Sequence, residues 1–118
     1  MWAGRQANRK RKPTISIGNY TQDAEDKLKV ILRILRIFGS ILRQPYISIV
    51  ALPERELISQ VGYTTEHGYT VTELHTDDRE YHTRATNVTP DGVVQHVSAI
   101  ANKFGTTLAN CEFRIGDP

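Results

Sequence analysis

Cysteine is almost absent from this chain of 118 residues, and the single Cys111 excludes an internal disulfide as well as a cysteine-based zinc site. Long hydrophobic runs are missing too, because the longest, such as 49–52, are far shorter than a membrane span. The N-terminus is polar and basic with no apolar run behind it, so no secretory signal is expected. These absences favour a reducing compartment, either the cytoplasm or the nucleus.

Motifs that would identify a reaction are also missing. The chain has no phosphate-binding glycine loop, no nucleophile elbow and no helix with paired histidines. Cys111 alternates with apolar residues, which indicates a buried side chain and not a catalytic thiol. His75 and His82 would lie near Glu73 and Glu80 on a hairpin, where cross-strand Glu–His pairs explain them without a metal ion. We therefore expect no enzyme, no metal site and no cofactor.

Charge is distributed unevenly along the chain, although the overall formal charge is only +2. Residues 1–43 contain ten Lys and Arg against three acids, whereas residues 44–118 contain five against ten. The first part therefore carries a net charge of +7 and the second a net charge of −5. A basic segment of this kind indicates a polyanionic partner, and the alternative is that the two parts pair with each other.

A regular helical pattern over residues 21–43 carries part of this positive charge. At 100° per residue, the apolar residues of this segment fall on one stripe and on a second stripe that adjoins it. The first stripe comprises Ala24, Leu28, Ile31, Leu35, Phe38 and Leu42, and the second comprises Val30, Ile34, Ile37 and Ile41. On the other side, a cationic strip about 21 Å long is formed by Lys29, Arg33, Arg36, Ser40 and Arg43.

The cationic strip and the N-terminal arm together predict nucleic-acid binding, to RNA in preference to DNA. Residues 1–13 have little apolar content and form a basic arm that we expect to be flexible. A strip of this length spans several phosphates, and its contacts would be independent of base sequence and sensitive to salt. The predicted phosphate-binding residues are Arg5, Arg9, Lys10, Arg11 and Lys12 of the arm and Lys29, Arg33, Arg36 and Arg43 of the helix. The run 9–13 also suits a nuclear-import signal.

Other uses of the same helix stay open. Its apolar arc is wider than one sheet covers, so either the second helix packs alongside it or a second copy of the chain does, and we favour the homo-oligomer. The basic half would also suit a protein-interaction or assembly module, such as a matrix-like or inhibitor protein that docks an acidic patch. An anionic membrane surface is a third partner for a helix of this kind. We expect the membrane less, because the flanking strands would draw the apolar side of the helix into the core.

The order of predicted elements is typical of an α+β fold. A strand at 14–18 precedes the long helix, and a further strand follows at 46–52. Residues 56–63 suit either a strand or a short helix, and we favour the strand. A hairpin over 69–88 turns at Asp77-Asp78, a second helix runs from Thr89 to Gly105, and a strand at 107–115 closes the chain. We expect one domain over 14–118, folded as a two-layer α+β sandwich with a mainly antiparallel sheet and two helices on one face. The first topology to test is ferredoxin-like with an added hairpin.

The hairpin turn also predicts which residues face each other across the two strands. A two-residue turn places Glu73 opposite His82 and Val71 opposite Arg84. These residues would form a charged side of the hairpin, and the other side, which includes Leu74, would be half buried.

Residues 53–104 resemble a double-stranded RNA-binding domain in pattern. The stretch Pro53-Glu54-Arg55-Glu56-Leu57-Ile58-Ser59, the hairpin after it and the second helix are similar to that family's helix, three antiparallel strands and helix. The resemblance implies recognition of an RNA duplex by its shape. Pro90, Asp91 and Gly92 stand where that family places a lysine cluster, so the resemblance assigns no binding residues.

Overall fold

Six strands and two α-helices make up the residues that the computed structural model describes, which are 14–17, 24–41, 44–74 and 81–116. At 14–17 and 81–84 only the backbone is described. The elements are β1 (Thr14–Ile17), α1 (Ala24–Phe38), β2 (Tyr46–Ala51), β3 (Glu56–Thr64), β4 (Gly68–Leu74), β5 (Tyr81–Val88), α2 (Pro90–Lys103), a 3-10 helix (Leu108–Asn110) and β6 (Cys111–Gly116). The predicted basic arm, Arg43 and the hairpin turn at Asp77-Asp78 lie outside the described residues.

All six strands belong to one antiparallel sheet, in the order β1-β6-β2-β3-β4-β5. Strands β2 to β5 remain consecutive neighbours, because turns as short as 52–55 and 65–67 place successive strands side by side. Strand β6 then inserts between β1 and β2. This order differs from the predicted ferredoxin-like one, in which the strands of two split βαβ units interleave.

One face of the sheet is covered by both helices, which confirms the two-layer α+β sandwich. Side chains from α1, α2 and the sheet pack in a single apolar cluster. Its fully buried members include Leu28, Leu32, Leu35, Val93, Val97, Ile47, Ile49, Ile58, Val61, Val71, Phe113 and Ile115. Burying each such side chain contributes about 1.5–3 kcal/mol, so this cluster fixes how the helices lie on the sheet.

Helix α1 ends at Phe38, before the predicted end at Arg43. Gly39 has low helix propensity, and the hydroxyl of Ser40 donates to the carbonyl of Ile37 at 2.7 Å, in competition with the backbone. The amides of Ser40 and Ile41 donate to carbonyls only three residues earlier, at 3.1 and 2.9 Å, and so form a tighter turn. The helical part of the cationic strip therefore ends at Arg36.

Helix α2 begins and ends where the sequence predicts. The hydroxyl of Thr89 accepts a hydrogen bond from the amide of Gly92 at 3.2 Å, and Pro90 occupies the first helical position. Gly105 has a φ of +76°, a left-handed conformation that glycine adopts without strain. Its amide donates to the carbonyl of Asn102 at 3.0 Å, which closes the last turn.

The hairpin of β4 and β5 keeps the predicted register only near its tip. Glu73 pairs with His82 as predicted, but Val71 pairs with Ala85 and not with Arg84, because a register shift after Val71 adds one residue to β5. The predicted sides are wrong as well. Val71 and Glu73 face the helices, with exposures of 0% and 2%. The supposed charged side of the hairpin is therefore its core side.

The resemblance to a double-stranded RNA-binding domain does not hold in the structure. Residues 52–55 form a turn and 56–64 form strand β3, where that family has a helix. Strand β3 pairs with β2 on one side and β4 on the other, which requires an extended backbone along its length. The short alternating pattern of this segment indicates a strand, and the structure follows that pattern.

Candidate nucleic-acid interface on helix α1

Two tyrosines hold the C-terminal half of α1 against the sheet. The Tyr69 hydroxyl donates to the carbonyl of Leu32 at 3.3 Å, and the rings of Tyr69 and Tyr63 lie 5.0 Å apart. Gly39 leaves room for Tyr63, because a Cβ at position 39 would lie 2.8 Å from a ring carbon. Burial, together with Tyr63, raises the pKa of Tyr69 against the opposing effect of Arg36. Tyr69 is therefore a neutral donor near neutral pH, and its contact helps to hold α1 against the sheet.

Lys29, the first cation of the predicted strip, is paired within the fold. Its Nζ lies 3.0 Å from Oδ1 of Asp91, in the first turn of α2. The hydrogen bond and the negative charge of Asp91 raise the pKa of Lys29. Sequence reasoning had no signal for this pair, because the two residues meet only when the helices pack together. Lys29 is consequently less able to bind an external phosphate than its place in the strip indicates.

Arg33 and Arg36 form the exposed part of the strip, and we call them the arginine pair. They lie three residues apart, so both side chains project from one side of α1. Within the described residues, no carboxylate forms an ion pair with either guanidinium group. Guanidinium groups bind phosphate oxygens through two parallel hydrogen bonds, so the arginine pair suits two phosphates or one shared between them.

The other predicted phosphate-binding residues lie outside the part of the chain that the structure describes. They are Arg5, Arg9, Lys10, Arg11 and Lys12 of the arm, together with Arg43. The structure therefore brings together Lys29, Arg33 and Arg36 on one helix, and it places the first of these against Asp91.

Two arginines that the sequence analysis did not select meet on the opposite face of the sheet. Arg114 and Arg55 approach the same carboxylate oxygen of Glu112, at 2.9 and 3.5 Å. Alternation along β6 signals that Glu112 and Arg114 share a face. Arg55 arrives from the β2–β3 turn with a φ of 60°, which the sequence does not predict. Because Glu112 engages both guanidinium groups, they are poorer phosphate ligands than the arginine pair.

A third charged contact lies beneath α2. The carboxylate of Glu73, only 3% exposed, accepts a hydrogen bond from the ammonium group of Lys103. Lys103 belongs to the last turn of α2 and keeps about half of its side chain in solvent. This ion pair joins α2 to strand β4 and supplies a counter-charge to the buried Glu73.

Two clefts bordered by described residues lie away from the arginine pair. A cleft of about 520 Å³ between the helices has Glu25 and Asp26 on its rim, which disfavours an anionic ligand. A second cleft, of about 290 Å³, opens beside Tyr46 and Gln60 on the far face of the sheet. The candidate interface is therefore a convex helix surface, which suits an extended polyanion better than a small molecule.

Cys111 is part of the core, as its alternating pattern predicts. The side chain is fully buried, and its thiol donates to the carbonyl of Thr107 at 3.3 Å. Burial raises the pKa of Cys111 to about 11, so the reactive thiolate is scarce at neutral pH. Among the residues with described side chains, no three His, Cys, Asp or Glu groups come together as metal ligands, and His75 and Glu80 lie outside that set.

In the described part of the chain, neither helix combines the length and the apolar character needed to cross a bilayer. We compared the chain with protein-family models, with curated proteins and with solved structures, and found no match in any of the three.

Proposed function

We propose that this protein is a non-enzymatic nucleic-acid-binding protein that binds RNA in preference to DNA. The arginine pair of α1 and the basic arm 1–13 would contact the phosphate backbone in the cytoplasm or nucleus. One observation carries the proposal: Arg33 and Arg36 are exposed on a convex helix, and no described carboxylate neutralises them. Lys29 contributes less, because Asp91 already neutralises its ammonium group.

The proposed contacts are electrostatic and do not read base sequence. Each guanidinium or ammonium group that neutralises a phosphate releases a condensed counterion, so affinity falls as salt rises. For single strands, each phosphate contact changes the slope of log affinity against log salt by about 0.7. The arginine pair therefore accounts for a slope of about 1.4, and the cations of the arm add to it.

Substitution of the arginine pair tests this proposal directly. The double variant Arg33→Gln/Arg36→Gln should lose affinity for a fluorescent, mixed-sequence single-stranded RNA, and its salt slope should fall by about 1.4. The matched control is Arg55→Gln/Arg114→Gln, which removes the same charge from guanidinium groups that Glu112 engages. Its affinity should fall much less. Fluorescence anisotropy at several salt concentrations gives both quantities for each protein.

Equal losses in the two double variants would show that net charge, and not the position of the arginine pair, determines binding. If the Arg33→Gln/Arg36→Gln variant keeps its affinity, α1 is not part of the interface and the arm remains as the binding segment. Substitution of Arg9, Lys10, Arg11 and Lys12 by Gln then tests the arm. Competition between RNA and DNA of the same sequence decides the proposed preference. The ratio of absorbance at the nucleic-acid and protein maxima, before and after a high-salt wash, shows whether nucleic acid co-purifies.

A second candidate function, a protein-interaction or assembly module, is favoured by a different observation on the same helix. Val30, Ile37 and Ile41 are large apolar residues that stay exposed, and phosphate binding makes no use of them. A homo-oligomeric, matrix-like or inhibitor protein would purify without nucleic acid and form assemblies that depend on these side chains.

A further inference from the structure

The second apolar stripe of α1 is not covered by the fold. We call Val30, Ile34, Ile37 and Ile41 the outer stripe. Three of its members, Val30, Ile37 and Ile41, are 46%, 61% and 74% exposed, and they are the large hydrophobic side chains that stand out on the described surface. Ile34 is partly buried and packs against the core cluster. A single exposed aliphatic residue is ordinary, but Val30 and Ile37 on α1, followed by Ile41 in the turn after it, mark an interaction surface.

The arginine pair borders the outer stripe. Arg33 lies three residues after Val30 and four before Ile37, so it is their neighbour on the helix surface. Arg36 lies next to Ile37 in sequence and is also exposed. The acids of the described helix, Glu25 and Asp26, lie in its first turn, about 16 Å from Ile37 along the axis. The C-terminal half of α1 thus combines exposed aliphatic side chains with positive charge.

The chemistry of this surface discriminates between the partners it would accept. A nucleic-acid backbone would neutralise the arginines and leave the outer stripe in water. A second copy of the chain, docked about a two-fold axis, would bring the two arginine pairs into one interface, where like charges repel. Three exposed side chains also fall well short of the roughly 800 Å² per partner that a stable dimer buries. An anionic bilayer offers phosphate and carboxylate headgroups to the cations and an acyl layer to the aliphatic groups.

We infer that the outer stripe and the arginine pair bind the surface of an anionic lipid bilayer. Ile37 and Ile41 enter the boundary between headgroups and acyl chains, while Arg33 and Arg36 remain among the headgroups. This inference corrects the expectation that the fold hides the apolar side of the helix, since three members of the outer stripe stay exposed. It does not rest on the nucleic-acid proposal, because the aliphatic residues of the outer stripe have no part in phosphate binding.

The fold presents this surface without a conformational change. The hydroxyl of Tyr69 donates a hydrogen bond to the carbonyl of Leu32, and Gly39 allows the end of the helix to pack against Tyr63. These contacts fix the C-terminal half of α1 on the sheet. The turn after Phe38 then carries Ile41, whose 74% exposure is the largest of the outer stripe. The protein would therefore dock as a folded domain, at the depth of about 5–10 Å that interfacial helices reach.

Vesicle flotation with the full chain tests the inference. We expect the protein to float with phosphatidylcholine vesicles that contain about one third phosphatidylserine, and to stay behind with pure phosphatidylcholine. Ile37→Ser/Ile41→Ser should reduce partitioning into the anionic vesicles by about tenfold or more. The same variant should keep its RNA affinity within about twofold, because every cation remains in place. Arg33→Gln/Arg36→Gln should reduce vesicle partitioning by about thirtyfold.

The matched controls separate docking from folding. Ala99→Ser changes an exposed apolar residue on α2 and should leave vesicle binding unchanged. Because Ile37 and Ile41 are exposed, their substitution should also leave the thermal midpoint unchanged. A second readout uses Ile37→Trp in a Trp2→Phe background, where the single indole should shift its emission to shorter wavelength on contact with anionic vesicles.

Three results would overturn the inference. The first is no flotation of the natural chain with anionic vesicles. The second is equal flotation of the Ile37→Ser/Ile41→Ser variant and the natural chain. The third is a dimer in light scattering that Ile37→Ser/Ile41→Ser converts to a monomer, which would assign the outer stripe to a second copy. Loss of RNA binding without loss of flotation would contradict the nucleic-acid proposal alone, so the two proposals fail separately.

Discussion

Helices α1 and α2 lie side by side on the same face of the sheet, yet their outward surfaces differ. The charged ends of α2 have partners inside the fold, since Asp91 pairs with Lys29 and Lys103 pairs with Glu73. The arginine pair of α1 has no ion-pair partner among the described residues, and the outer stripe is largely exposed. The two helices therefore share one architectural role, but only α1 carries features that folding leaves unexplained.

This difference teaches where a search for function should begin. A charge that is paired with a partner in the same domain is less free to bind anything else. Exposed cations beside exposed aliphatic groups contribute little to folding, so their presence on one helix points to an external partner. The following predictions test this contrast between α2 as a structural helix and α1 as a binding helix.

The largest expected effect is on the ion pair beneath α2. Lys103→Met removes an ammonium group that donates to the buried carboxylate of Glu73, and should lower the free energy of unfolding by about 2–3 kcal/mol. Arg36→Gln on α1 should change it by less than about 0.5 kcal/mol. Urea denaturation of both variants measures the difference. The double variant Glu73→Gln/Lys103→Met should recover part of the lost free energy of unfolding. Equally small losses for Lys103→Met and Arg36→Gln would contradict the contrast between α2 and α1.

Glycines at the ends of the two helices should respond in opposite ways to the same substitutions. At Gly39 the available space is limiting, because a Cβ would lie 2.8 Å from the ring of Tyr63. Gly39→Ala should therefore lower the free energy of unfolding by about 1 kcal/mol, and the larger Asn should lower it further. At Gly105 space is open, and the φ of +76° is the limiting feature. Gly105→Asn should therefore be tolerated better than Gly105→Ala, which should lower the free energy of unfolding by about 1 kcal/mol. Thermal denaturation of the four variants gives the ranking. The same order at both positions would refute this explanation.

The smallest expected effect concerns the boundary between the helices. Asp91→Asn removes the carboxylate that pairs with Lys29 and should raise affinity for RNA at low salt by on the order of twofold. The mutated residue stays polar at the start of α2, so the Thr89 cap should survive and stability should change little. Fluorescence anisotropy measures the gain. An affinity that does not rise would indicate that Lys29 lies outside the interface even when it is unpaired.

Local sequence rules predict α2 well and α1 less well, and the reason lies in the range of the interactions. Helix α2 is bounded by Thr89, Pro90 and Gly105, which act through their own backbone conformation and the nearest turns. The ends of α2 can therefore be predicted from the sequence. The end of α1 depends partly on Tyr63, which approaches Gly39 from a distant strand. Apolar periodicity extends to Leu42 and does not reveal that contact.

The hairpin shows the same limit for a charged residue. A glutamate such as Glu73 usually faces solvent, and the predicted turn placed it on the charged side of the hairpin. In the structure it is buried, and Lys103 from the second helix supplies a counter-charge. The predicted pairing with His82 is nevertheless correct, since register near the tip of a hairpin follows from the turn. The pairing of Glu73 was therefore predictable, whereas the pairing of Val71 and the face that meets the core were not.

The sequence by itself determined the α+β class, the strands, the second helix and the amphipathic character of the first, because these depend on residue periods of two and 3.6 and on local caps. Tertiary structure decided which stripe of α1 is buried, which of its cations are paired and on which side Glu73 lies. Those outcomes depend on neighbours supplied by residues distant in the chain, such as Asp91 and Lys103, and periodicity within one segment carries no information about them.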